Sequence, residues 1–402
     1  MISIAVLGYG IVGSGVVQVI DKNSSRISQN AGQEIRVKYI LDIRDFDDCP
    51  YKSLCVKDFE TIENDPEIAV VVEAIGGVGA ALTYTRRALE AGKNVVTSNK
   101  ELVAEYGSEL LKLAMDNEVN YLFEASVGGG VPVIRPLAGC MTANIITEIY
   151  GILNGTTNYI LTDMEKNGAD FTTALHEAQR KGYAEFDPTA DIEGFDTCRK
   201  ICILSSLAFG RHIFPNQVST EGISGVTLKD IHYAAKLGYE IKLLGRSRSI
   251  GEKVSVYVAP HLIDKNNLLA VVDGVMNGVV IRGNAVGDVV FCGAGAGKLP
   301  TASAVIADII DAVKHLHARR WISWADGVEG LVFDSTLLDS AWYIRTDATR
   351  SKVEKEFGSV IFAEDTGKDT AFVTGVMNGK MIGDLLNRGV DAQSQFRVLG
   401  DY

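Results

Sequence analysis

Apolar runs and helical repeats alternate through the first 134 residues. Residues 2–7, ISIAVL, form a short continuous apolar run of the kind a fully buried strand shows. This run enters Gly8-Tyr9-Gly10-Ile11-Val12-Gly13 and then a helical pattern, SGVVQVI. IRVKYIL (35–41), IAVVVEAIGG (68–77), NVVTSN (94–99) and NYLFEAS (120–126) repeat the strand signal, while ALTYTRRALEAGK and ELVAEYGSELLKLAMDN carry helical spacing. The rhythm predicts a parallel α/β sheet with ligands outside the carboxyl ends of its strands. From about residue 135 the texture changes. ITEIYGIL, EIKLLGRS, VSVYVAPHLI and GVVIRGNAV follow one another with short turns, predicting an α+β region built on a mostly antiparallel sheet. The loop Gly293-Ala294-Gly295-Ala296-Gly297 then opens a helix over 300–316 that can pack back toward the first domain, with Thr301 near its N-cap. The tail reads strand, helix, strand, strand, helix, strand, the ferredoxin-like βαββαβ order. These shifts set the expected boundaries: 1–134, 135–318, a linker over 319–339, and a tail over 340–402.

Composition alters this picture little and excludes some partners. The chain has 402 residues, long enough for two or three domains, with 47% hydrophobic and 22% charged residues. A net charge of −12 argues against nucleic acid and anionic membranes as partners. No apolar run reaches transmembrane length, and the opening residues lack the basic lead-in and cleavage site of a signal peptide. The six cysteines are scattered, without CxxC or histidines at zinc spacing, so reduced thiols in a cytoplasmic protein are expected. His315 and His317 end a helix, where imidazoles meet the negative end of the dipole and need no function.

The glycine turn after the first strand carries chemistry. Gly8, Gly10 and Gly13, with Ile11 and Val12 between them, form GxGxxG between a strand and a helix, the context of a Rossmann dinucleotide-binding fingerprint. There glycines permit the tight turn and the helix N-terminus faces a pyrophosphate. Asp42, at the end of the second strand, suits the ribose of NAD, whereas Arg44 or Lys57 suits the 2′-phosphate of NADP. Both cofactors stay open. Gly76, Thr97, Asn99 and Lys100 fall at the same sheet edge, and Gly293 and Gly295 belong to a second glycine loop that could cover the cofactor.

The densest polar chemistry lies between Gly151 and Leu204. GYAEFDPTADIEGFDTCRKICIL places Glu185, Asp187, Asp191, Glu193 and Asp196 within twelve positions, followed by Arg199 and Lys200. Pro188 and Gly194 interrupt the pattern, so the acids through Glu193 read as an irregular loop. Beyond Gly194 helical spacing sets Asp196 and Lys200 one turn apart on a helix whose next turns are apolar. On a solvated face such a pair is ordinary decoration. A half-buried carboxylate–lysine pair behind an acidic loop instead suggests polar chemistry in a cleft.

GYGIVG, TSNKELVA, FEASVGGGVP, GILNGTTNYIL, GYAEFDPTADIEGFDTCRK and GAGAGKLPTASAV, in this order, closely resemble the homoserine dehydrogenases over about residues 1–312. The resemblance implies a Rossmann domain, a catalytic and dimerisation region, and an NAD- or NADP-linked interconversion of L-homoserine and L-aspartate 4-semialdehyde. It implies Lys200 as the proton-transferring lysine, Asp196 as its support and Lys100 as a second lysine near the reacting oxygen. Glu185 would hold the substrate's ammonium, with Asp191, Tyr183, Gly155 and Thr156 around it. A monovalent cation, usually sodium, would sit on backbone oxygens of Glu124, Val127, Gly129 and Val131. A homodimer or homotetramer is implied. No kinase-like segment precedes the glycine turn, so the unfused form is expected. The tail is similar in order to a short ACT domain, but TDATRSK replaces the turn common after the first ACT strand.

Two other readings compete. A semialdehyde dehydrogenase of the same fold needs a nucleophilic cysteine beside a base, and none of the six cysteines has a partnering histidine in sequence. A dinucleotide-sensing regulator needs a docking element, which the acidic charge and the absence of a basic patch disfavour.

Overall fold

The computed structural model describes residues 1–46, 48–318, 322–365 and 369–400. The first residues of the expected linker and a few positions of the expected tail lie outside these.

Six parallel strands build the first sheet: β1 (Ile2–Leu7), β2 (Ile35–Leu41), β3 (Cys55–Val56), β4 (Ile68–Glu73), β5 (Asn94–Thr97) and β6 (Tyr121–Leu122). Their order is β3-β2-β1-β4-β5-β6, doubly wound, with the strand order reversing between β1 and β4. The central strands β1, β4 and β5 are buried on both faces, which explains runs such as Ile4–Leu7 and Val70–Val72 without alternation, whereas β2 and β3 toward the edge are only partly buried. The helix Ile11–Lys22 follows β1 directly. Gly13 is required there, because a Cβ would lie 1.9 Å from the Gly8 carbonyl. The expected strand over 120–126 is shorter than its apolar run. It ends at Leu122, and Glu124–Ser126 form a 3-10 turn that carries the chain into the glycine run.

The second sheet is larger and mixed. Ile146–Ile152, Tyr239–Ile250, Lys253–Asp264, Met276–Gly283 and Gly287–Ala294 pair antiparallel, and Gly287–Ala294 is the outer strand. The helix Phe195–Phe209 covers one face, burying Ile201, Ile203 and Leu204. The expected connector adds Val332–Phe333, which pairs in parallel with Val254 and Ser255.

The tail's strands, Trp342–Thr346, Ile361–Asp365, Thr370–Val373 and Ala392–Val398, are antiparallel in the order fourth, first, third, second. They extend the same sheet rather than forming a separate one, since Arg397 and Val398 pair in parallel with His261 and Leu262. Two helices of the tail, Arg350–Phe357 and Gly379–Leu386, close a small core of Trp342, Ile344, Val353, Phe357, Phe372, Ile382 and Val390.

The helix Lys298–Lys314 returns to the first domain, packing on the helix Ile11–Lys22 and against β4 and β5. Gly297 is its N-cap, with Thr301 one turn in. Residues of both domains line a cleft beside this crossing.

Candidate functional site

Two helices from different domains meet at one carboxylate. The helix Lys100–Asp116 is capped by Asn99, whose side chain accepts the Leu102 N–H at 3.1 Å. The helix Phe195–Phe209 begins after Gly194, whose φ of +82° a side chain would strain. Asp196 lies in its first turn with only 2% of its side chain exposed. One oxygen accepts from Lys200 Nζ at 2.7 Å and from Asn154 Nδ2 at 2.8 Å, and the other is in close contact with Lys100 Nζ. Lys200 Nζ also donates to the Leu153 carbonyl at 2.8 Å. Asn154 donates further to Asp191 at 2.7 Å, while its Oδ1 caps the helix Gly155–Asn167 at Thr157 N. A second clamp ties the two helices together, Arg199 to Glu101 at 3.0 Å.

This geometry splits the two lysines. Burial lowers the Lys200 pKa, with Asp196 opposing and the charge of Lys100 reinforcing. Burial also opposes charge on Lys100, but Asp196 outweighs it and holds that ammonium above the ordinary lysine range. For Asp196 burial is overcome by the two ammonium groups, which keep it a carboxylate. Asp191 is pushed up, first by burial and then by repulsion from Asp196.

The lysines face a cleft of about 710 Å³, lined among others by Gly10, Ile11, Val12, Gly76, Gly129, Glu185 and Gly295. It adjoins a second hollow of about 430 Å³ bounded by Gly8, Gly10, Asp42, Arg44, Lys57 and Tyr84. The shared residues Gly10, Ala74 and Ile75 make one groove across the carboxyl edge of the first sheet, where a dinucleotide fits. At its far end Asp42 accepts Tyr9 N–H at 2.7 Å, Arg44 N–H at 2.9 Å and the Arg44 guanidinium at 2.8 and 3.0 Å. Lys57 donates to the carbonyls of Asp42, Ile43 and Arg44 and pairs with Asp45 at 2.9 Å.

Asn99 and Lys100 line the cleft, but Thr97 is buried and its hydroxyl goes to Glu73 at 2.5 Å. Gly13 packs against Gly8, and Gly293 lies beside Val131 on the outer strand. Gly155 and Thr156 open their helix, Thr156 Oγ1 donating to the Tyr183 carbonyl at 2.6 Å. Tyr183, Glu185 and Phe186 lie on an exposed loop at the cleft, Phe186 being 99% exposed. The acids through Glu193 are mostly loop, as the breakers suggest, except for one helical turn at Thr189–Ile192.

Sequence reasoning passed over Asn154 and Glu73. An Asn before GTT is an N-cap signal that could have singled out Asn154, whereas a glutamate ending an apolar strand has no local signature. The side chain of Glu124 receives the N–H groups of Val133, Ile134 and Arg135 at 2.7–2.8 Å, so it holds the chain after the glycine run. Among the described residues no cluster of His, Cys, Asp and Glu suits a metal ion, and no helix is long and apolar enough to cross a membrane.

Two family models match the chain: "Homoserine dehydrogenase, NAD binding domain" over residues 8–124 and "Homoserine dehydrogenase" over 132–310. A homoserine dehydrogenase of Neisseria gonorrhoeae is 45% identical over 320 residues, covering 79% of this chain and 73% of its own. The crystal structure of a homoserine dehydrogenase from Thiobacillus denitrificans superposes with a TM-score of 0.91 at 37% identity, over 99% and 98% of the two chains. A hyperthermophilic archaeal homoserine dehydrogenase solved in complex with NADPH has a TM-score of 0.65 at 28% identity, over 77% and 97%.

Proposed function

This chain belongs to the homoserine dehydrogenase family, and we propose that its cleft interconverts L-homoserine and L-aspartate 4-semialdehyde with Lys200 moving the proton. It is an oxidoreductase of amino-acid biosynthesis with an NAD(P)-binding domain. When bound, the nicotinamide supplies the hydride, or accepts it in the oxidative direction.

The observation that carries the reading is the array Lys100–Asp196–Lys200 in the groove along the carboxyl edge of the first sheet. In the oxidative direction the hydroxyl proton of homoserine passes to Lys200 Nζ as the neutral amine, for which a lowered pKa is suited. In reduction the same atom returns it to the developing alkoxide. Lys100 stays charged and stabilises negative charge on that oxygen. Asp196 holds both ammonium groups in place. Glu185 and Asp191 hold the substrate's own ammonium, and Tyr183, Gly155 and Thr156 shape the pocket around it.

For the cofactor we read NADP or NAD, tilted toward NADP. Every lone pair of Asp42 already has a donor, so the ribose hydroxyls of NAD reach it only if Arg44 moves away. The Arg44 side chain, 57% exposed and beside Lys57, suits a 2′-phosphate. For a monovalent cation, sodium, we read the carbonyls of Glu124, Val127, Gly129 and Val131. In support, the carbonyls of Val127, Gly129 and Val131 accept no backbone hydrogen bond among the described residues, and a Cβ at Gly128 would lie 2.3 Å from the Val131 oxygen. For assembly we read a homodimer or homotetramer, supported by the outer strand Gly287–Ala294, paired on one side, with Val289, Val290 and Phe291 half-buried. Six free cysteines support a cytoplasmic location.

The test is absorbance at the nicotinamide band with homoserine, offering NAD and NADP in parallel. Homoserine-dependent reduction with both cofactors is expected, and Arg44→Ala should cut the preference for NADP by about ten-fold. No homoserine-dependent signal with either cofactor overturns the assignment.

A further inference from the structure

The reaction as derived leaves one buried ionisable group unused. Glu73 ends β4, is fully buried, and immediately precedes Ala74, Ile75, Gly76 and Gly77, which line the larger cleft. Its carboxyl accepts the Ile75 N–H at 2.8 Å and the Thr97 hydroxyl at 2.5 Å, and the Gly76 N–H and the Asn99 amide also serve it.

The donors in this cluster bear on its charge. Backbone N–H and amide NH₂ groups can only donate. Thr97 Oγ1 accepts the Asn99 N–H at 2.9 Å and donates its own proton to Glu73. Burial raises the Glu73 pKa above its ordinary value, with the donors Thr97, Ile75, Gly76 and Asn99 opposing that rise. Four donors converging on one carboxyl make a cradle suited to the ionised form. The lysines of the cleft are bound to Asp196, and no ion pair involving Glu73 is found among the described residues. A buried anion without a counter-ion is costly unless a cation comes to it.

We propose that Glu73 is a positioning residue that favours the oxidised, positively charged nicotinamide over the reduced, neutral one, through an unpaired buried carboxylate beneath the Ala74–Gly77 turn. This rests on the reading of the cleft as the nicotinamide end of the groove. The same hydrogen bonds hold the Gly76–Gly77 turn and the Asn99 cap, and hence the start of the helix that carries Lys100.

The experiment compares dissociation constants of NADP⁺ and NADPH, with NAD⁺ and NADH in parallel and ADP-ribose as a control, for wild type and Glu73→Gln. The substitution should weaken the oxidised form relative to the reduced form by about ten-fold, leaving ADP-ribose within about two-fold. Equal weakening of both redox forms would show a purely structural role and overturn the proposal. Wild-type protein that binds ADP-ribose but neither redox form refutes the placement of the nicotinamide in this cleft, and the proposal with it. Where Glu73→Gln does not fold, Glu73→Asp decides. It keeps the charge, so the oxidised-to-reduced ratio must hold while both affinities fall, and a collapse of that ratio overturns the proposal.

Discussion

Asp196 is surrounded by three donors from three segments, and the competition among them sets the chemistry. Its carboxylate is shared by Lys100, Lys200 and Asn154. Lys200, the more buried lysine, loses its proton first, so homoserine oxidation should rise with pH as Lys200 becomes neutral, below the range of a free lysine. Reduction needs the ammonium and should fall over the same interval. Lys100→Met removes a like charge and leaves Lys200 as the one ammonium on Asp196, beside the Asn154 amide. Both changes raise the Lys200 pKa, so the ascending limb of kcat/KM for oxidation should move up by about one pH unit. A pH–rate profile checks this, and a limb that stays or moves down contradicts it. The pairing of Asp196 with Lys200 was legible because one helical turn separates them. The pairing with Lys100 was not, because it forms only when two domains meet. Thr97 sits at the predicted edge, yet the structure turns its hydroxyl inward to a carboxylate with no local signature.

At the level of elements, helix ends do the positioning. Asn99 and Asn154 cap the helices that bring Lys100 and Thr156 to the cleft, and Gly194 lets the Asp196 helix start abruptly. Strands and long helices were readable because their apolar spacing is dictated by burial, whereas the last strand of the first sheet was overread, because its apolar run continues into a 3-10 turn. The helix Leu228–Lys236 shows how one cap can join larger parts. Asp230, fully buried, accepts from Thr227 Oγ1 at 2.6 Å, Ser394 Oγ at 2.9 Å, Tyr343 OH at 3.0 Å and Arg345 Nε at 2.7 Å. Asp230→Ala would leave the buried Arg345 guanidinium without its main carboxylate partner, so a loss of about 3–5 kcal/mol in denaturant unfolding is expected. A loss below about 1 kcal/mol would show that the node is dispensable.

For the whole molecule, the continuous second sheet is the main feature that sequence patterning does not convey. The order of tail elements was readable, but its union with the larger sheet depends on a parallel pairing between Leu262 and Val398, set by long-range packing. That junction buries His261, whose Nδ1 lies 2.9 Å from the Ala259 carbonyl and whose Nε2 lies 3.3 Å from Tyr257 OH. Burial, helped by Arg246, lowers its pKa to about 3. Below about pH 6.5 the unfolded chain takes up a proton on this histidine that the folded chain refuses until near pH 3. Stability present above pH 6.5 is therefore lost on acidification, by about 2 kcal/mol at pH 5 for this group alone. His261→Asn should lose less stability between pH 7 and 5 than wild type, as unfolding curves at the two pH values will reveal; equal losses would remove His261 from the account.

The measurement that bears most directly on the central claim is a side-by-side study of wild type and Lys200→Ala, pairing homoserine turnover with cofactor titration. Turnover should fall by about 10²- to 10⁴-fold while the dissociation constant of the cofactor stays within about two-fold. Turnover near the wild-type rate, or loss of turnover and cofactor binding together, would contradict the role assigned to Lys200.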